Sequence, residues 1–384
     1  MQTGATIYLD YQASTPMDPA VNDAMQSYNS TAFANPHSAA HVLGQQAADV
    51  VESAKTDIEQ CISALADEVI FTSGATESNN QAIASVLFSN NGDRKKVLIS
   101  AIAHKCIKNA AYFFAEKLGY QVEEIPVVES GLIDLDAYNN LLSDQVVLVC
   151  IMAVNNEIGI IQDIQTLAKS AHDHGALFHC DAAQAPEAID IDVKKWDVDM
   201  LSLSAHKVYG PKGIGALYIK DALQAKLPPL IQGGGQQFGM RSGTLAPALC
   251  LGFAKAMTLS KHKSQQSRAQ IAELKHHFID QLSAEGIAFK INGGLEPRHP
   301  GNLNIQLLGY EANELLEKLQ PEVCASTGSA CNSDMILISH VLKAIGLTDE
   351  QVLSSIRFSF GRFSNAEQID SAVQSIKRAL NKHI

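Results

Sequence analysis

Short apolar runs alternate with helix-length segments between about residues 60 and 220. Six runs read as strands: Val69-Ile70-Phe71, Val97 to Ser100, Val146 to Ala153, Ala176 to Cys180, Met200 to Ser204 and Ile214 to Ile219. Runs that stay apolar at successive positions imply strands buried on both faces. The helical segment after Phe71 places Ile83, Val86 and Leu87 on one side. The economical architecture is an α/β domain with a mainly parallel, doubly wound sheet.

Beyond about Leu245 the period changes. Ile271, Leu274, Phe278 and Leu282 form one stripe of a long amphipathic helix. Ser364 and Glu367 stand at capping-box spacing before a final helix with Ile369, Val373, Ile376 and Leu380 on one face. Between these helices, Asn302 to Leu308 and Ser355 to Phe360 read as strands. This half predicts a smaller α+β domain.

Composition narrows the function. At roughly 150 residues per domain, 384 residues imply two or three domains, and 46% hydrophobic residues supply a sizeable core. The 29 basic and 41 acidic residues leave a net charge of −12 with no Lys/Arg run, which argues against direct binding of nucleic acid. The longest apolar stretch, about Val146 to Val154, falls far short of the roughly 20 residues of a membrane helix. The first 30 residues contain Asp10 and Asp18 and lack the basic start and apolar run of a secretory signal. Seven cysteines are scattered, none in a CxxC pair, as expected for reduced thiols in a cytoplasmic protein without a zinc site.

Four loops carry candidate chemistry. Thr72-Ser73-Gly74-Ala75-Thr76-Glu77-Ser78 joins a strand to a helix, so backbone N–H groups, hydroxyls and the helix dipole can meet a phosphate. The same stretch also reads as an ordinary Gly turn with a Ser N-cap. Phe178-His179-Cys180-Asp181 ends a strand on an Asp, which is costly to bury unless a cation such as a protonated pyridine nitrogen meets it. A simple helix N-cap is the alternative there.

In Ser202-Leu203-Ser204-Ala205-His206-Lys207, a lysine just past a buried strand can be desolvated into a nucleophile that forms a Schiff base. A lone surface lysine is the plain alternative, and Lys212 reads as one. Strand-end Asp, Ser/His/Lys about 25 residues on and an upstream phosphate-type loop are together what pyridoxal phosphate requires. The fourth loop, Ala325-Ser326-Thr327-Gly328-Ser329-Ala330-Cys331, presents Cys331 among small polar residues, as a nucleophile or an incidental loop thiol. Cys324, after Val323, reads as structural.

At these residues the chain resembles the cysteine desulfurases, class V members of the fold type I pyridoxal phosphate enzymes. The likeness runs from Tyr8-Leu9-Asp10-Tyr11 and Asn35-Pro36-His37-Ser38 to Ser354-Ser355-Ile356-Arg357-Phe358-Ser359-Phe360-Gly361-Arg362-Phe363. Thr72 to Ser78, Val154-Asn155-Asn156-Glu157-Ile158-Gly159, Met240-Arg241-Ser242-Gly243-Thr244 and Ser329-Ala330-Cys331 are similar to the NifS/IscS-type, group I branch. So is the length of the loop from Cys331 to Val341-Leu342-Lys343-Ala344-Ile345-Gly346.

The resemblance implies a fold and a set of roles. The fold would be a large domain (15–258) around a mainly parallel seven-stranded sheet, and a small α+β domain (1–14 and 259–384) carrying the cysteine loop. Lys207 would hold the cofactor, Asp181 would keep its pyridinium protonated, and His104 would stack on the ring and exchange protons with the substrate. Ala75, Thr76, Ser204 and His206 would bind the phosphate, and Thr244 would reach it from the other subunit of a homodimer. Asn155 and Gln184 would address the substrate and the ring hydroxyl. Arg357 would take the α-carboxylate of L-cysteine as a planar bidentate donor. Cys331 would accept the sulfur as a persulfide and pass it to an acceptor protein.

Two departures mark this chain. Gln236-Gln237-Phe238 stands where the family usually shows a Glu-Arg pair, and the chain stops at Ile384, without the tail that docks an iron–sulfur scaffold in housekeeping members. The expected acceptor pathway therefore stays open among iron–sulfur cluster assembly, tRNA thiolation and DNA phosphorothioation. A class V aminotransferase or selenocysteine lyase would need Lys207 but no cysteine in this loop, so Cys331 favours a desulfurase. A sulfur-delivery subunit activated by a partner is the remaining alternative.

Overall fold

The computed structural model describes residues 6–30, 33–327 and 338–381. Its large sheet has seven strands in the order Val69–Thr72, Gly215–Ile219, Met200–Ser204, Leu177–Asp181, Val146–Met152, Lys96–Ser100 and Gln121–Ile125. Every residue of Val146–Met152 and Met200–Ser204 is buried, as strands covered on both faces require. Gly215–Ile219 runs antiparallel to both its neighbours, and the other adjacent strands pair in parallel. The short link between Ser204 and Gly215 explains this, since a parallel return needs a crossover of about a dozen residues or more.

The six sequence-predicted strands all lie in this sheet. The seventh, Gln121–Ile125, occupies an edge, where Gln121 is exposed and Glu123 and Glu124 are half-buried. An edge strand of that kind leaves no continuous apolar run.

A three-stranded antiparallel sheet of Ser355–Ser359, Asn302–Leu307 and Phe289–Ile291 forms a second core with the helices Ala312–Leu319 and Ala366–Asn381. The 38-residue helix Pro247–Ala284 serves both cores. Its Cys250, Phe253 and Met257 pack with the large sheet, and its Ile271, Leu274, Phe278 and Leu282 pack with the small one. The last helix is capped one residue later than the Ser364/Glu367 spacing implies. Asn365 Oδ1 accepts from Gln368 N–H, and Gln368 Oε1 accepts from Asn365 N–H. Ser364 instead accepts from Gly361 N–H.

The parallel strands all end at one edge of the large sheet, and the edge strand Val69–Thr72 points the same way because its neighbour is reversed. Gly215 sits between Thr72 and Ser204 at this edge. A Cβ there would come within 2.5 Å of the Leu203 carbonyl oxygen and 2.6 Å of Gly74 Cα, so the close approach of the two loops requires glycine. Among the described residues, no helix is long and apolar enough to cross a membrane.

Candidate active site

The carboxyl ends of these strands open into a cavity of about 750 Å3. In an open α/β sheet this is where ligands bind. Asp181, the last residue of its strand, is 5% exposed and faces the cavity. Its Oδ1 accepts from Ala183 N–H at 3.0 Å and its Oδ2 from Asn79 Nδ2 at 2.9 Å.

Lys207 ends a 3-10 turn, Ala205–Lys207, that follows the strand Met200–Ser204. Its Nζ donates to the carbonyls of Gln12 at 2.6 Å and Ala13 at 2.8 Å, on the N-terminal segment. Burial, reinforced by the nearby Arg357 cation, pushes its pKa down to about 8. About a tenth of the amine is therefore unprotonated at pH 7, far more than for an ordinary lysine.

Gly74 opens the helix Ala75–Ser89, whose first N–H groups face the cavity with Ala75 and Thr76 on its wall. Glu77 anchors this turn by accepting from Ser73 N–H at 2.8 Å and from Arg241 Nε at 2.8 Å. Ser204 and His206 line the same wall. His206 Nδ1 lies 3.2 Å from Ser14 Oγ, and burial together with Lys207 and Lys212 pushes its pKa down to about 4. The ring is thus a neutral hydrogen-bonding group. Lys212, read from the sequence as a plain surface lysine, also lines this cavity.

Arg357 approaches from the small sheet. Its Nη1 donates to Asn156 O at 2.6 Å, and its Nη2 donates to Asp10 Oδ1 at 2.6 Å and Ser326 Oγ at 2.9 Å. His104 caps the helix Lys105–Leu118 and lines the cavity. Gln184 lines it too, and its Nε2 donates to Gln12 O at 2.9 Å.

Two sequence candidates lie apart from these. Asn155 is fully buried, with Nδ2 donating to Ile102 O and Oδ1 accepting from Glu157 N–H and Ile158 N–H, so it organises the turn and Asn156 lines the cavity. Thr244 is exposed and does not line the cavity of its own chain. Cys331 lies outside the described residues. The structure adds Gln12, Asn79, Cys106 and Asn156, for which no strand-end or loop pattern gave a signal.

The residues present fit pyridoxal phosphate. A buried carboxylate ends a strand, a lysine of lowered pKa follows the next strand, and a helix N-terminus with hydroxyl groups faces both. Buried polar atoms at this cavity, Asn156 Oδ1, Gln12 Nε2 and Arg357 Nε, have no hydrogen-bond partner among the described residues. Such orphans are expected where a polar ligand completes the site.

The class-V aminotransferase family matches residues 7–371. The cysteine desulfurase IscS of Rickettsia bellii is 41% identical over 377 residues, which cover 98% of this chain and 91% of that protein. A solved NifS-like protein superposes with a TM-score of 0.91 at 28% identity, covering 98% of this chain and all of that one. SspA, solved in complex with cysteine, gives a TM-score of 0.83 at 36% identity, over 94% of this chain and all of that one.

Proposed function

The chain belongs to the class-V aminotransferase family and is a pyridoxal phosphate-dependent cysteine desulfurase, and from that premise we infer that Lys207 carries the cofactor, Asp181 holds its ring nitrogen, Arg357 takes the α-carboxylate of L-cysteine and Cys331 receives the sulfur. The observation that carries this division of labour is the convergence of Lys207, Asp181 and Arg357 on one cavity.

Bound pyridoxal phosphate supplies an electron sink that lets bonds at the substrate Cα break. Ala75 and Thr76 at the helix N-terminus, with Ser204 and His206, hold its phosphate through largely neutral donors. Asp181, fixed by Asn79 and Ala183, offers a carboxylate to a protonated ring nitrogen. Arg357 orients the substrate by a bidentate grip on its carboxylate. Lys207, with its pKa lowered to about 8, is the base that takes the Cα proton once its amine is free.

The thiolate of Cys331 attacks the substrate sulfur, forming an S–S bond as the C–S bond breaks. The balance is L-cysteine plus enzyme thiol giving L-alanine plus enzyme persulfide. An acceptor protein then removes the outer sulfur. Thr244 completes the phosphate site of the partner subunit in a homodimer, in keeping with its place outside its own cavity. A requirement for free thiols fits a reducing, cytoplasmic setting.

The test is to measure alanine and sulfide released from L-cysteine, with a thiol reductant, by wild type, Lys207→Ala and Cys331→Ala. Both variants are expected to release neither product above background. Sulfide release by Cys331→Ala at the wild-type rate would reject the persulfide role.

A further inference from the structure

Cys106 stands on the cavity wall, and the reaction above makes no use of it. Its Sγ lies 3.0 Å from His104 Nδ1 and 3.1 Å from Asn79 Nδ2. Asn79 also donates to Asp181 Oδ2 at 2.9 Å. Asp181, Asn79, Cys106 and His104 thus form one line of polar contacts, from the strand end to the imidazole.

The direction of each contact is fixed by what the groups can do. The backbone N–H of Cys106 points at His104 Nδ1 from 3.2 Å, and a backbone N–H can only donate. Nδ1 must therefore accept, so the proton of the neutral ring sits on Nε2. Sγ, beside the same lone pair, can approach within 3.0 Å only as an S–H donor. An imidazolium paired with a thiolate would need an N–H on Nδ1, which would then oppose the backbone N–H of Cys106. The amide of Asn79 occupies a sulfur lone pair and so turns the S–H toward the ring.

We propose that Cys106 is a positioning residue for His104: its backbone N–H sets the Nε2–H tautomer, and its S–H, braced by Asn79, adds a second donor to Nδ1 that fixes the ring so that Nε2–H meets the substrate and cofactor. Burial, with Asp181 nearby, pushes the Cys106 thiol up to about 12 and keeps its proton in place near neutrality. Burial also holds His104 below the usual histidine range, which favours the neutral ring. His104 then acts as a fixed donor, and proton removal at Cα falls to Lys207. The inference rests on the reading that His104 serves the reaction.

The test is 15N NMR of the cofactor-loaded protein labelled at histidine, with the His104 signals assigned by their loss in His104→Gln. Wild type should show Nδ1 as an acceptor and Nε2 protonated. Cys106→Ala removes one of the two donors to Nδ1, so the Nδ1 signal should move downfield toward that of an unbound acceptor nitrogen while Nε2 stays protonated, and kcat should fall about tenfold, a fraction of what general acid–base groups supply. Cys106→Ser keeps a donor and should restore most of both losses. An imidazolium or an Nδ1–H tautomer in wild type would overturn the proposal, as would a Cys106→Ala protein with an unaltered Nδ1 signal. Wild-type turnover in His104→Gln would instead remove His104 from the reaction, leaving the Nδ1 signal to judge Cys106 separately.

Discussion

Arg357 Nη2 and Asp10 Oδ1 lie 2.6 Å apart, inside the cavity where Arg357 is proposed to take the substrate carboxylate. Asp10 is therefore a resident competitor for the guanidinium. Asp10→Asn should leave the Arg357 charge poorly compensated and destabilise the protein by about 3 kcal/mol, the lower end expected for breaking a buried pair. The same change should tighten L-cysteine binding, and added L-cysteine should recover part of the lost Tm. Arg357→Lys should weaken binding about as much as Arg357→Ala, at least tenfold, because a point charge cannot replace the fork. Substrate titrations of the cofactor absorbance in a Cys331→Ser background read both effects. An unchanged Kd in Arg357→Lys would remove it from the carboxylate site.

Lys207 should set the pH dependence of cofactor attachment. Its folded pKa is lowered from 10.5 to about 8, so the free amine, the attacking form, grows as pH rises, is half-formed near pH 8 and saturates about one unit higher. Pyridoxal phosphate added to apoprotein should bind covalently at a rate that climbs between about pH 7 and about pH 9 and then levels. Lys207→Ala should lose the borohydride-reducible attachment altogether. Retention of that bond would pass the role to Lys212, which lines the same cavity.

Asp181→Ala should keep some cofactor yet lose about 3 kcal/mol of transition-state stabilisation, or roughly two orders of magnitude in kcat. Asn79→Ala should cost less, because Ala183 N–H still holds one carboxylate oxygen. Steady-state turnover of the loaded variants gives the ranking, and an Asp181→Ala enzyme near wild-type rate contradicts the assignment.

The strand ends were legible because burial on both faces leaves continuous apolar runs, and a polar residue closing such a run stands out. Asp181, Ser204 and Lys207 were found that way, and the structure brings them to one cavity with Arg357, over 100 residues further on. Asn79 and Cys106 were not legible, since each lies inside a helix and joins the site only through the register of that helix against the sheet. The departure at Gln237 shows the same limit. Its side-chain amide mimics a neighbouring strand, accepting from Phe71 N–H at 2.6 Å and donating to Phe71 O at 2.9 Å. That pairing stitches the loop before Thr244 to the edge of the large sheet, and no composition rule foretells it.

Cys331 should be the thiol that carries sulfur, and the other cysteines near the site show why. Burial and Asp181 keep Cys106 protonated, and burial likewise raises the Cys324 thiol above its usual value. Neither is a ready thiolate nucleophile near neutrality. Cys331 follows Ser326 by five residues, and Ser326 accepts a hydrogen bond from Arg357. An extended chain spans at most about 3.5 Å per residue, so Cys331 can reach up to about 17 Å from Ser326, enough to meet a substrate held by Arg357. Cys331→Ser should therefore bind pyridoxal phosphate and L-cysteine normally but release no sulfide beyond background. Mass spectrometry of wild type after brief exposure to L-cysteine should find one added sulfur atom on the peptide containing Cys331. Finding that sulfur on Cys324 or Cys106, or full turnover in Cys331→Ser, would overturn the transfer step while leaving the cofactor site intact.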